Sequence, residues 1–560
     1  MKKRSNKSFP WSLLLIVGIL TLAIASVSFI WPFGRDQGIY AFVAQEWLNG
    51  KILYQDLFII KPPLNVYTHS LALILFGHAM VSIRILDFLF CMGIGITLCF
   101  LTWEMTHRYI ASLIPPFLFL LSYYSSGFWD TAQTDGWTCV PISLSIILTY
   151  FALKTDRTEE KSQNSWNLWF LSGFCIALGV LFKYTIGFYL IGLSLYVFFE
   201  TSEKTRRLKR IFYLWGGFFI AIFLIFLHLW ISGGLEKFIE ATLYIKTLFK
   251  EVPKETIIPP IKVVIDPIFS FFPLLFLCGF LGISCFLFIN VQKRISLTNS
   301  QKFLCILAII WFIAGWISIL LQGKFFKYHY HPLLPPLAIF FGFFLSLSSY
   351  FKINLKKFLM IETLLGVLFI LYATTMSPWK TPFKELISII PPFRTKELKL
   401  APNRFSTENF SFYDNFQLAQ FLTKNTQEKD FVEIWGYDPM VNFLAKRAFP
   451  TRFIYSFPLY PHGLPSPFQK EYLIQLKKNP PKFFIIQRRD HSPVQFPFLF
   501  KLTKKFLESS FSWDSEKAFR HFSLLNTWVM KNYTPEGILG ITGKDLKGNP
   551  IPRFIILKKK

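Results

Sequence analysis

The sequence predicts a polytopic α-helical membrane protein of about eleven spans, followed by a soluble α/β domain. Composition, the clumping of apolar residues and a late change of pattern predict it. Hydrophobic residues make up 52% of the chain and Phe alone supplies 67 of its 560 residues, well beyond the usage of a soluble domain. From Trp11 to about Thr375, runs of roughly 17 to 25 nearly uncharged residues alternate with short polar loops, the length that crosses about 30 Å of hydrocarbon. After Pro378 the hydropathy falls and short helix and strand patterns take over.

The spans are expected near 11–31, 79–102, 109–125, 137–153, 167–182, 184–200, 212–231, 267–290, 304–322, 332–350 and 358–376. Only Lys183 and Tyr184 divide the fifth from the sixth. Lys2, Lys3, Arg4 and Lys7 precede the first run, and Ala23-Ile24-Ala25 has the small residues of a signal cleavage site. The spans that follow favour an uncleaved anchor. The chain is therefore expected as a transmembrane domain, 1–376, and a soluble domain, 377–560.

Basic residues set the expected orientation. With a cytoplasmic N-terminus, the inside loops hold Lys204, Arg206, Arg207, Lys209 and Arg210, then Lys293, Arg294 and Lys302, then Lys352, Lys356 and Lys357. Segments 32–78, 126–136, 232–266 and 323–331 and the C-terminal domain then face outward. The net charge of +27 divides between inner loops and that domain, which suits anionic headgroups or a polyanionic glycan rather than nucleic acid. All seven cysteines fall in expected spans and read as packing residues, so neither a disulfide framework nor a zinc–thiolate site is expected outside.

In the first outward segment, Ile39, Phe42, Val43 and Trp47 recur at helical spacing, with Gln37, Gln45 and Glu46 elsewhere around the helix. That pattern predicts an amphipathic helix lying in the membrane interface, and Leu64 to Phe76 a second surface helix. In the soluble domain a helix is expected at Phe416–Leu422, a strand at Phe431–Trp435, a helix at Val441–Lys446 and strands at Phe483–Ile486 and Arg553–Leu557.

Charges at the outer boundary are the informative ones, because an unpaired charge there is costly. Asp36 directly precedes the first surface helix and reads as an N-cap or as a fixed catalytic carboxylate. Lys61 opens the second surface helix, as a phosphate ligand or a lysine snorkelling to headgroups. Asp135, in an otherwise nearly uncharged loop with Asp130, reads as a cap or a site acid. Lys324, Lys327, His329 and His331 crowd one aromatic loop, as a lipid-phosphate site or an interface belt. The His pair lacks nearby Cys or carboxylate for a metal site. Arg84 and Asp87, three apart, are expected to pair.

Taken in order, Arg35-Asp36-Gln37-Gly38-Ile39-Tyr40, Gly50, Tyr54-x-Asp56, Lys61-Pro62-Pro63, Phe76-Gly77, Arg84, Gln133-Thr134-Asp135, Phe182-Lys183-Tyr184-Thr185 and Gly323 to Pro336 resemble a known family. It is that of the bacterial membrane glycosyltransferases of the protein-mannosyltransferase and aminoarabinose-transferase type, in the C-fold superfamily that uses lipid-phosphate-linked sugars. The resemblance implies Asp36 as general base and Asp135 as the second acidic position, which Asp130 could fill instead. It implies substrate contacts at Tyr54, Asp56, Lys61, Arg84, Lys324, Lys327, His329 and His331. Relatives usually carry Asp-Glu where this chain has Asp36-Gln37, and often an acid where it has Ile60, so a divalent-metal site is weakly supported. The implied partners are a polyprenyl-phosphate sugar, a lipid, glycan or protein acceptor and membrane lipids, at the outer face of the cytoplasmic membrane of a prokaryote. The rivals are a transporter or flippase of lipid-linked sugars, an enzyme joining preassembled glycans, and a silent relative that binds the donor only.

Overall fold

The computed structural model describes residues 8–156, 162–250, 261–292, 296–347, 405–407, 409–460, 467–490, 514–544 and 549–560. Segments long and apolar enough to cross a membrane are Ser12–Ile30, Met80–Thr106, Thr134–Thr155, Ser165–Phe182, Lys204–Ile231, Pro273–Gln292, Asn299–Gln322 and Lys327–Leu347. Shorter apolar helices run over Tyr109–Tyr124 and Tyr184–Glu200. A helix therefore stands at each of the first ten expected spans, and the eleventh, 358–376, lies outside the described residues. The helices that matter below are α1 (Ser12–Ala25), α2 (Arg35–Leu48), α3 (Leu64–Phe76), α4 (Met80–Thr106), α5 (Tyr109–Tyr124), α6 (Gly127–Asp130), α7 (Thr134–Trp137), α8 (Cys139–Thr155), α9 (Ser162–Phe182), α10 (Phe188–Glu200), α11 (Lys204–Ile231), α12 (Leu235–Lys250), α13 (Ile261–Phe271), α14 (Pro273–Gln292), α15 (Asn299–Gln322) and α16 (Leu334–Leu347).

The described helix ends gather at two opposite faces. On one face the ends of α4, α8 and α15 meet: Lys154 pairs with Glu104 at 3.1 Å, and the Tyr150 hydroxyl bonds Glu104 and lies 2.8 Å from Ser300 Oγ. Nearby, Arg210 binds Asp156 at 2.8 Å and Glu200 at 3.1 Å. On the other face the loops after α1, α5, α9, α11 and α15 converge with the soluble domain. A reporter active only outside the cytoplasm, fused after Lys560, is expected to be active. Silence there, with activity of a cytoplasmic reporter, overturns the orientation.

The soluble domain is a four-stranded mixed sheet ordered β3-β4-β6-β5, formed by β3 (Val432–Trp435), β4 (Phe483–Gln487), β5 (Tyr533–Lys544) and β6 (Pro550–Lys559), with a small hairpin of β1 (Ser406–Thr407) and β2 (Phe410–Ser411) beside it. β3 and β4 are parallel and so need a crossover, which contains helices α18 (Met440–Ala445) and α19 (Pro467–Lys478). α17 (Phe412–Asn425) precedes β3, and α20 (Ser515–His521) and α21 (Ser523–Asn532) precede β5. The expected strands near 432, 483 and 553 are present. β5 was not expected: its Pro535, Gly537 and Gly540 speak against a strand, and they are accommodated because it is an edge with register shifts near Pro535 and Gly543.

α2 overturns one expectation. It does not lie half-exposed in the interface, because Gln37, Gln45 and Glu46 are buried along with Tyr40, Phe42 and Val43. The soluble domain covers it, with Phe42 against Phe449 (5.2 Å between ring centroids) and, just before the helix, Phe33 against Phe443 (5.7 Å). One apolar core thus runs from the segment between α1 and α4 into the soluble domain. The Phe58 amide donates to the Arg452 carbonyl at 2.7 Å, while the Arg452 guanidinium binds Glu240 of α12 and Glu471 of α19. α3 does expose Leu71, Ile74 and Leu75, the face such a helix turns to lipid.

Candidate functional site

α2 begins at Arg35 with Gly34 as its N-cap, so Asp36 is the second helical residue. Asp36 is therefore not a cap. Its carboxylate is half-buried at the positive end of the helix, where the macrodipole favours negative charge. The Tyr328 hydroxyl donates to its Oδ2 at a long 3.4 Å. The charge of Asp36 acts on Lys183, Lys324, Asp130, Tyr40, Tyr328 and Tyr455, which places these groups around it.

Gln37 shows why an amide stands where relatives carry an acid. Its Nε2 donates to the carbonyls of Thr131 (2.8 Å), Trp129 (3.1 Å) and Phe128 (3.3 Å). A carboxylate there would face three oxygens and donate to none. The same turn takes up Arg84, which is fully buried and donates to Pro32 O (2.7 Å), Phe128 O (2.9 Å) and Thr131 Oγ1 (2.9 Å). The expected Arg84–Asp87 pair is absent: Asp87 Oδ1 instead accepts from the Tyr123 hydroxyl at 2.6 Å and the Trp137 indole at 2.8 Å. Arg84 staples the segment after α1 to the segment after α5 and is spent on carbonyls and a hydroxyl there rather than held for a substrate.

Tyr54 and Asp56 also brace the loop. The Asp56 carboxylate accepts from the Ile52 amide at 2.8 Å, and the buried Tyr54 donates to the Lys61 carbonyl at 2.7 Å. Neither is brought to Asp36, yet together they hold Lys61 at the head of α3. Asp135 lies at the second position of α7, so it too is not a cap. It is fully buried, with Oδ2 2.9 Å from Lys183 Nζ and Oδ1 unpartnered. Asp135 thus acts on Lys183 instead of lying open beside Asp36.

Lys183, which lies in the matching segment Phe182-Lys183-Tyr184-Thr185 but has no role assigned from sequence, joins the site. It occupies a single extended residue between α9 and the 3-10 turn that starts α10, so the break between two apolar helices delivers an ammonium to the face that carries Asp36. Burial holds that ammonium below its usual range, against the pull of Asp135, and Lys61 adds to the depression. The available signal was a lone lysine between two apolar runs.

Lys324 completes the cationic side. Gly323, in the left-handed region at φ 62°, ends α15 and turns the chain back over the site. Lys324 is open to solvent yet closely ringed by protein atoms. That surrounding, with Lys61 and Lys183 nearby, holds its ammonium down to about 8, while Asp36 pulls it up. His329 is buried within electrostatic reach of all three lysines, and its Nδ1 has no partner. Lys327 faces Asp130 instead. Burial raises the Asp130 carboxyl to about 7, against the pull of Lys327 and the Tyr328 amide, and Asp36 adds to the rise. His331 sits behind the loop, 3.0 Å from Ser126 Oγ and packed on Tyr123, so it is not brought into the cluster. Among the described residues no three His, Cys, Asp or Glu side chains converge as metal ligands.

The site is therefore one carboxylate at a helix start in reach of Lys183 and Lys324, with Lys61 beside those two lysines. Residues 60–230, which carry Lys61, Asp135 and Lys183 but not Asp36, match the family model described as dolichyl-phosphate-mannose-protein mannosyltransferase. No curated protein matches the chain in sequence. Among solved structures, ArnT from Cupriavidus metallidurans bound to undecaprenyl phosphate is 12% identical, with a TM-score of 0.48 and 98% of each chain covered. The archaeal oligosaccharyltransferase AglB from Archaeoglobus fulgidus, in complex with an inhibitory peptide and a dolichol-phosphate, is 13% identical, with a TM-score of 0.47, 85% of this chain and 69% of that chain covered.

Proposed function

We propose that the chain is an inverting membrane glycosyltransferase that moves a sugar from a polyprenyl-phosphate donor to a hydroxyl of a lipid, glycan or protein acceptor at the outer face of the cytoplasmic membrane. The observation that carries this reading is Asp36 within electrostatic reach of Lys183 and Lys324, with Lys61 in reach of the same two lysines. The family description over residues 60–230 supports the donor class.

The acceptor oxygen attacks the anomeric carbon from the side of Asp36, which takes the hydroxyl proton. The bond from that carbon to the phosphate oxygen breaks, and its electron pair stays on phosphate. No general acid is needed, because phosphate leaves as an anion.

The charge balance of the site suits this change. Lys183 is matched by Asp135 and a second lysine by the ionised Asp36, so one cation is in surplus before the reaction and two once Asp36 has taken the proton. A sugar phosphodiester carries one negative charge, whereas the departing phosphomonoester carries about −1.5 to −2 at pH 7. A surplus that grows from one cation to two as Asp36 takes the proton therefore favours the departing group over the ground state, and that difference is what accelerates the reaction.

The test combines purified protein, a labelled polyprenyl-phosphate sugar and mass spectrometry of surface glycans and lipids from cells with and without the protein. Labelled sugar on a new hydroxyl is expected. Movement of intact donor across a vesicle without transfer would instead make the protein a flippase. Lys61→Ala should weaken donor use by on the order of 1.5 to 3 kcal/mol, the worth of one charge-assisted contact, with acceptor affinity nearly unchanged. Unchanged donor affinity and turnover would return Lys61 to the role of a snorkelling interface residue.

A further inference from the structure

We infer that the C-terminal domain is a working part of the site: its buried Asp438 grips Arg35, the residue before Asp36, and so positions the base. This rests on the reading of Asp36 given above.

The Arg35 Nε lies 2.9 Å from Asp438 Oδ1, and its Nη2 donates to the Asn409 carbonyl at 2.9 Å. Asp438 is itself fixed. Its side chain is fully buried, and Oδ2 accepts from Gln487 Nε2 at 2.6 Å and Asn415 Nδ2 at 3.2 Å. Gln487 ends β4, and its Oε1 accepts from the amide of Tyr437, just past β3. The carboxylate thus stands where the two parallel strands end, held by side chains from α17 and the sheet. The Arg35 guanidinium also lies over the Tyr437 ring at 5.6 Å and the Phe410 ring at 6.0 Å.

Helical geometry explains why a grip on Arg35 is felt at Asp36. Residues 35, 38 and 42 share one stripe of α2, and residues 36 and 40 share another. The first stripe meets the soluble domain along its length. Arg35 binds Asp438, a Cβ at Gly38 would come within 2.6 Å of Met440 Cβ, and Phe42 packs on Phe449. The second stripe turns inward, with Asp36 beside Tyr328 and Tyr40 against His69 at 5.3 Å between centroids. Only glycine at 38 lets the helix approach this closely. The domain therefore sets both the height and the rotation of α2, and Asp36 has no strong hydrogen bond of its own to fix it among the described residues. Arg35 is a positioning residue.

The experiment uses the full-length purified protein and compares Arg35→Ala, Arg35→Lys and Arg553→Lys. Arg553 binds Asp414 at 2.9 Å within the same domain without touching α2, so its variant weakens the domain and leaves the grip in place. A base displaced by about 1 Å can cost on the order of 100-fold. Arg35→Ala is expected to lower kcat by roughly 10- to 100-fold with donor affinity unchanged, Arg35→Lys less, and Arg553→Lys should lower Tm with kcat preserved. Wild-type kcat in folded Arg35→Ala overturns the inference. So does a kcat in Arg553→Lys that falls in step with its Tm, because the effect would then be general instability. If Arg35→Ala does not fold, Arg35→Lys decides, and wild-type kcat there overturns the inference. Asp36→Asn measured in parallel separates the two claims. Full turnover in that variant removes the base and this inference with it, whereas its inactivity beside fully active Arg35 variants removes the inference alone.

Discussion

Asp36→Asn is expected to lose transfer by about 10²- to 10⁴-fold, the usual worth of a general base, while remaining folded and able to bind donor. Asp36 caps nothing, so the substitution removes no capping bond. It does remove a charge from the first turn, where a carboxylate is worth about 0.3 to 1 kcal/mol against the macrodipole. That stability cost is small beside the catalytic one. The long bond from Tyr328 can be kept by the Asn carbonyl, so the side chain need not move. Turnover, detergent melting temperature and donor binding on the purified variant check this. Near-normal turnover would move the search to Asp130, whose carboxyl sits at about 7 near Asp36, because Asp135 is consumed by Lys183 and Asp56 by the Ile52 amide.

The architecture was legible because crossing a bilayer imposes length and polarity on each span separately. The site was legible only where a residue's role follows from its position along the chain. Lys61 and Lys324 stand at helix boundaries, and a cation there is noticed. Arg84 was misread because pairing with Asp87 is the local expectation, whereas its actual partners are carbonyls of a turn more than forty residues away in sequence. Lys183 stands in the sequence as a break between spans and as part of the matching Phe182-Lys183-Tyr184-Thr185 segment, but its role is hidden because its partner Asp135 is 48 residues distant. The burial of α2 was equally hidden. Its polar residues look solvent-facing until a domain beginning hundreds of residues later is laid over them, and periodicity carries no information about what covers a helix.

Lys183→Ala is expected to cost about 3 to 5 kcal/mol of stability, because it leaves the Asp135 carboxylate buried and unpaired. Loss of activity in that variant alone would say little about donor binding. The double variant Lys183→Met/Asp135→Asn separates the two effects, since replacing both members of a buried ion pair by neutral groups of similar size is often close to neutral for folding. The geometry then makes a sharp demand. If Lys183 meets the donor phosphate, the double variant regains its melting temperature but keeps a donor defect of on the order of 1.5 to 3 kcal/mol, about 10- to 150-fold, for the lost charge-assisted contact. If the pair serves only to hold α7 against the end of α9, the double variant regains turnover along with stability. Donor titration and thermal melting on the two variants read this directly, and recovered turnover would leave Lys61 and Lys324 as the phosphate-binding cations.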